Sequence, residues 1–134
     1  MNMLEVERML PNGFHDAVLN KLSVDYLKKE AVFEIEVLRD TIATEYEKGE
    51  LTLRGVIFLL IEPPDSQRHF IDSVLYIDSG PIEALNEQVQ RKFPTNNLPD
   101  NAFIHWIYIS PWNSFIIFCA IAAEYKKLGT GGRT

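Results

Sequence analysis

Apolar and polar residues alternate with a period of two over much of this chain, which is the mark of half-buried strands. KLSVDYL (21–27) sets Leu22, Val24 and Tyr26 on one face, and VFEIEVL (32–38) does the same with Phe33, Ile35 and Val37. A four-residue loop at 28–31 makes them a hairpin, opposing Leu27 with Val32 and Asp25 with Glu34. The two apolar sets then share a face, and a slip of one residue would separate them. The other face gathers Ser23, Asp25, Glu34 and Glu36 into a small acidic patch. ELTLRGVIFLLIE (50–62) begins in alternation and is wholly apolar from Val56 to Ile61. That pattern predicts a strand covered on both faces and central in its sheet, stopped by Pro63 and Pro64. FIDSVLYIDS (70–79) predicts a further strand, after a loop at SQRHF. The tract 103–123, FIHWIYISPWNSFIIFCAIAA, is β-branched and aromatic, and SPWNS breaks it. It predicts strand, turn, strand rather than a membrane helix, which needs about 20 predominantly apolar residues in a row. In that turn Pro111 presets its φ and Asn113 tolerates the left-handed region.

Two segments have helical character. Residues 3–10 predict one short helix, stopped before Pro11, and PNG then turns the chain. PIEALNEQVQRKF (81–93) predicts the main helix. Proline is favoured at a first helical position, Ile82, Leu85, Val89 and Phe93 form one stripe, and Glu87–Arg91 is an i,i+4 pair. Residues 40–50 form a polar connection with room for a helical turn. The expected fold is α+β: an antiparallel β-sheet of five or six strands with the 81–93 helix packed on it. A barrel-like closure stays open. One domain spans 1–134, ending in a frayed tail at 128–134.

At 134 residues the chain buries roughly two thirds of its unfolded surface, so it needs no disulfide or metal to hold together. Cys119 is the one cysteine, which excludes an intrachain disulfide. With no signal-peptide pattern at the start, a cytoplasmic protein is expected. The net charge is −6, and residues 1–50 carry most of it, with 11 acids against 6 bases. Phosphate binding needs a basic stripe, so nucleic acid is not an expected partner. A membrane is not expected either. A basic protein partner suits the acidic hairpin, with Asp25, Glu34, Glu36 and the turn residue Trp112 as contact residues.

Candidate chemistry centres on PNGFHDAVLN. A His15–Asp16 pair joined by His69 is an alternative metal or hydrolytic site, but HExxH and CxxC are absent. The structural reading has Asp16 capping a turn at AVLN and His15 pinning the entry segment to the first hairpin. His105 and Cys119 oppose each other if the last turn is centred on Trp112. Such a pair is a nucleophile and base when the thiol is reachable, and a buried Cys beside a hydrogen-bonded His when it is not. Ser114 lies outside a GxSxG elbow, and GTGG (129–132) opens no helix. No catalytic residue and no cofactor is expected.

GFHDAVLNKLSVDY, LTLRGVIFLLIE and WIYISPWNSFIIFCA together resemble small bacterial proteins that open with FHDA-x-L and close on an aromatic strand with a WNSF-like turn. Some of these are similar to immunity proteins of toxin competition systems. The resemblance covers residues 11 to about 123. It implies a non-enzymatic, protein-binding role and transfers no catalytic residue. A homo-oligomeric structural domain is the remaining alternative.

Overall fold

The computed structural model describes residues 1–40, 45–65, 74–94 and 97–129. Eight strands make one sheet: β1 Ala17–Asp25, β2 Glu30–Leu38, β3 Tyr46–Arg54, β4 Phe58–Ile61, β5 Tyr76–Pro81, β6 Phe103–Ile109, β7 Ser114–Ala120 and β8 Ala122–Gly129. All pairings are antiparallel, in the order β4-β7-β6-β5-β1-β2-β3-β8. The ends of that order belong to strands already in it. β3 continues into β4 and β7 into β8. The two long strands pair with each other in both halves, Arg54 with Ala122 and Phe58 with Cys119. The pairings therefore form a closed ring, a small barrel.

The count exceeds the expected five or six because both long runs break where the ring turns its corner. Gly55 sits at φ +63°, a left-handed conformation, and a β-carbon there would stand 2.8 Å from the Ile121 side chain. Hydrogen bonds from Ile57 N to Cys119 O and from Ile121 N to Arg54 O carry the ladder past the break. A glycine with a bulge is how a sheet is bent sharply.

Alternation along the strands gives the barrel two faces. Phe33, Ile35, Leu51, Leu53, Ile107 and Phe118 fill the inside and are fully buried. The helix α1, Met3–Arg8, packs against β8 and β5 at one end, burying Met3 and Val6, with Leu10 and Phe14 following. Asn2 and Glu5 form its capping box. Outside the barrel, Ile82, Leu85, Phe93 and Leu98 cover Ile104, Ile117 and Cys119 of β6 and β7.

That covering segment is not the expected main helix. Residues 82–84 form a 3-10 turn, Leu85 is extended, and α2 is the single turn Glu87–Gln90. Asn86 interrupts the run by capping α2, its side chain accepting from Val89 N at 3.0 Å. The apolar residues there meet a sheet surface, which a broken segment covers as well as a continuous helix. The Glu87–Arg91 pair forms at 3.7 Å, fully in solvent.

The first hairpin keeps its faces but not its register. Leu22 opposes Phe33 and Val24 opposes Ala31, with a bulge between Leu19 and Lys21. The turn is therefore 26–29 rather than 28–31. Asp25 fixes it by accepting from Lys28 N at 3.0 Å, and Lys29 takes φ +54°. The run 56–61 is not central either: β4 pairs with β7 alone among the described strands, and Leu60 and Ile61 are exposed. The closing turn is as expected, a 3-10 turn Ser110–Trp112 with Asn113 at φ +47°. Leu128 and Gly129, assigned to the tail, end β8. Residues 66–73, which include His69, and residues 130–134 lie outside the described residues.

Candidate functional site

Two places on the barrel concentrate unusual residues: a polar cluster where α1 meets β5 and β6, and an apolar mouth at the β1–β2 turn.

In the polar cluster, Glu7 on α1 points at the barrel wall. Its Oε2 accepts from the Ser79 hydroxyl and lies 3.1 Å from His105 Nε2. His105 is only 2% exposed and tilts against Phe118. Burial pushes the Glu7 carboxyl upward, but hydrogen bonds from His105 and Ser79 and the imidazole's charge outweigh it and hold the group below its ordinary value. Serine and histidine both meet the carboxylate, so the histidine has no serine to deprotonate, and the arrangement is a clamp rather than a nucleophile–base pair. The His105–Cys119 pairing is also absent. Phe118 opposes His105 while Cys119 opposes Ile104, on the outer face, where burial raises the thiol pKa. The expected pairing was off by one residue, enough to send the two side chains to opposite faces.

His15 and Asp16 lie near this clamp but in solvent. His15 Nδ1 is 3.2 Å from Asp78 Oδ2, and its Nε2 is 3.5 Å from Asp16 Oδ2. The tie therefore runs to β5 rather than to the first hairpin. Asp16 does not cap a helical turn, because AVLN opens β1. Instead it takes φ +57°, and its carbonyl accepts from the Tyr46 hydroxyl at 3.0 Å. Consecutive tight turns through Gly13, at φ +54°, send Phe14 into the core. Among the described residues, no group of three His, Cys, Asp or Glu side chains is placed to hold a metal ion.

The acidic patch is divided. Glu36 is 2% exposed and accepts from Asn20 Nδ2 at 2.9 Å, so it does not present the free surface expected of it. Glu34 lies between Lys21 of β1 and Glu50 of β3, and Glu50 opposes Lys126 of β8. Asp25 is spent on the turn. Lys48 of β3 opposes Glu36, so lysines from three strands, Lys21, Lys48 and Lys126, interrupt the negative face, which the one-hairpin view could not include.

The apolar mouth was not anticipated. Tyr26, expected on the core face, is 87% exposed, and Leu27 is 98% exposed. Val24, Ile57 and Ile61 are exposed as well and line recesses here. A cleft of about 320 Å³ opens between β1 and β4, lined by Leu19, Leu22, Leu75, Ile109, Trp112 and Ile116. Val24 and Ile61 also line an adjoining recess of about 250 Å³ beside Tyr26, Val56 and Phe58. Trp112 is half-buried here and packs on the core. Single exposed apolar residues are ordinary, whereas a contiguous group next to a cleft is not. The signal for it in the sequence was slight: Tyr26-Leu27 stands directly before two lysines, which fits a turn as well as a strand end.

No protein-family model, curated protein or solved structure matches this chain. Among the described residues, no helix is long and apolar enough to cross a membrane.

Proposed function

We propose that the chain is a protein-binding domain that takes its partner at the mouth of the barrel, with Tyr26 and Leu27 as anchors. The observation that carries this is their near-complete exposure on a turn fixed by the Asp25–Lys28 hydrogen bond. Keeping two large apolar side chains in water confers nothing on the folded monomer, whereas burying each in an interface is worth roughly 2 kcal/mol. A rigid turn also avoids the ordering cost that a mobile loop carries on binding.

An immunity-type inhibitor of a toxin suits this reading and agrees with the resemblance to proteins opening in FHDA-x-L. Such an inhibitor acts by occupying its target's surface and needs no catalytic group. The net charge of −6 steers a basic partner towards the chain, with Asp25 at the mouth and Trp112 in its wall. The buried free thiol of Cys119 suits a cytoplasmic setting.

The test is the double variant Tyr26→Ser/Leu27→Ser, recovered with its partner from the native cell. Both side chains are in solvent, so the melting temperature stays within about 2 °C of wild type. The wild type brings down one stoichiometric partner, and the variant loses at least about 30-fold of that affinity. Equal recovery by the variant, or a wild type that elutes alone at low salt, refutes the reading.

A further inference from the structure

We infer that the occupant of the mouth is an extended, uncharged apolar segment of another protein, which adds as a strand to the open edge of β4. This rests on the protein-binding reading above and names its mode.

The backbone supplies the first argument. Glu62 N donates to Phe115 O at 3.0 Å, directly across from it in the register that pairs Ile61 with Ile116. Bonded and non-bonded pairs alternate along an antiparallel ladder. Phe58 and Leu60 therefore turn their N–H and C=O groups towards β7, and Leu59 and Ile61 turn theirs away. Among the described residues no strand pairs with that outward side. Across the cleft, and among the described residues, β1 beyond Leu19 is paired on its β2 side alone.

The second argument is charge. Proteins normally guard an open strand edge with lysines, inward charges or proline within the strand. β1 does so with Lys21 and Asp25. β4, Phe-Leu-Leu-Ile, carries neither charge nor proline, and its shortness, four residues, is the guard it has. The charged residues lining the larger recess are Lys21 and Glu62, of opposite sign, so the recess offers no net charge and its complement is neutral. A strand on β4 would send alternate side chains into the cleft against Leu22, Trp112 and Ile116. Beside them, Ser114 shares the inward face with Ile116, and its buried hydroxyl has no hydrogen-bond partner. Main-chain bonds then give affinity, and the cleft selects side chains.

The test uses the full chain, ¹⁵N-labelled, with an end-blocked peptide of about six alternating valines and threonines as the probe, and a lysine–threonine peptide as its charged counterpart. At about 1 mM the neutral peptide slows amide exchange at Leu59 and Ile61 about tenfold, and the charged one does not. Ile61→Pro removes one outward N–H and abolishes the effect, while Ile61→Thr keeps the N–H and retains it. If Ile61→Pro does not fold, the wild-type exchange data decide alone. No slowing at these two amides, slowing at Leu59 undiminished in Ile61→Pro, or slowing in the free chain that grows with its own concentration overturns the inference. The last result puts a second copy on the edge. A native partner lost on Tyr26→Ser/Leu27→Ser but indifferent to Ile61→Pro leaves the binding reading standing and removes strand addition.

Discussion

Replacing Glu7 by alanine is expected to lower stability by about 2–4 kcal/mol. The figure comes from what the carboxylate leaves behind. His105 Nε2, 3.1 Å away on a side chain only 2% exposed, loses its charged partner. Leaving such a group unmade costs about 1–3 kcal/mol, and the half-buried Ser79 hydroxyl adds about 1 kcal/mol. Against a total stability of about 5–15 kcal/mol, this shift is easily measured. Glu7→Gln keeps the shape and one acceptor, and costs about 1–2 kcal/mol. The two variants also differ from wild type in their pH response. Because the folded Glu7 carboxyl lies below its ordinary value, the unfolded chain takes up its proton first as pH falls. Glu7 thus contributes stability that is complete above its unfolded pKa, near 4.5, and is lost as pH falls through the lower folded value. Denaturant unfolding from about pH 7 to about pH 3 should show wild type losing this increment in acid, with Glu7→Gln correspondingly flatter. A Glu7→Ala variant within about 0.5 kcal/mol of wild type, or parallel acid limbs for wild type and Glu7→Gln, would refute the clamp.

Three further outcomes are expected. Burial and the charge of Glu47 push the Tyr125 hydroxyl up to about 12, so wild type should lose stability between about pH 10 and pH 12, as the unfolded chain ionises first. Tyr125→Phe removes a buried hydroxyl without a partner; it should leave the melting temperature unchanged or higher and abolish that alkaline loss, and a fall of several degrees would contradict this. Gly80→Ala would put a β-carbon 2.4 Å from Trp106 Cζ2, whose indole N–H is tied to Pro81 O at 2.9 Å, and should cost about 1–3 kcal/mol in denaturant unfolding. Adding salt to about 0.5 M should weaken partner capture less than Tyr26→Ser/Leu27→Ser does, because the anchors are apolar and the acidic face is broken by lysines.

The fold was legible where alternation alone decides it. Leu22, Val24, Phe33 and Ile35 do share a face, Asn113 does take the left-handed turn, and β6 and β7 do flank it. What could not be read depends on parts of the chain meeting at a distance. Whether β4 is central or at an edge depends on which strands reach it, and its apolar run looks the same either way. The 81–93 stripe is equally compatible with a helix and with a segment moulded to the outside of a barrel. The eight-strand count follows from Gly55 and Ile121 meeting at the corner, residues 66 positions apart in the chain. Of the site residues, His15 and Asp16 were visible by type, but their neighbour is Asp78 rather than the first hairpin. Glu7, the acid that meets His105, had no local signal. The register shift in the first hairpin had the largest effect on the proposed site, since it moved Tyr26 from the core face to the exposed turn.

Site-directed photocrosslinking at Tyr26 tests the central claim most directly. Tyr26 is replaced by benzoylphenylalanine in the full chain inside the native cell, with the same replacement at exposed Glu124, on the outer face of β8, as the reference. A protein bound at the mouth gives one discrete crosslinked band from position 26 and little or none from position 124. No band from position 26, or equal bands from both, would contradict binding at the mouth.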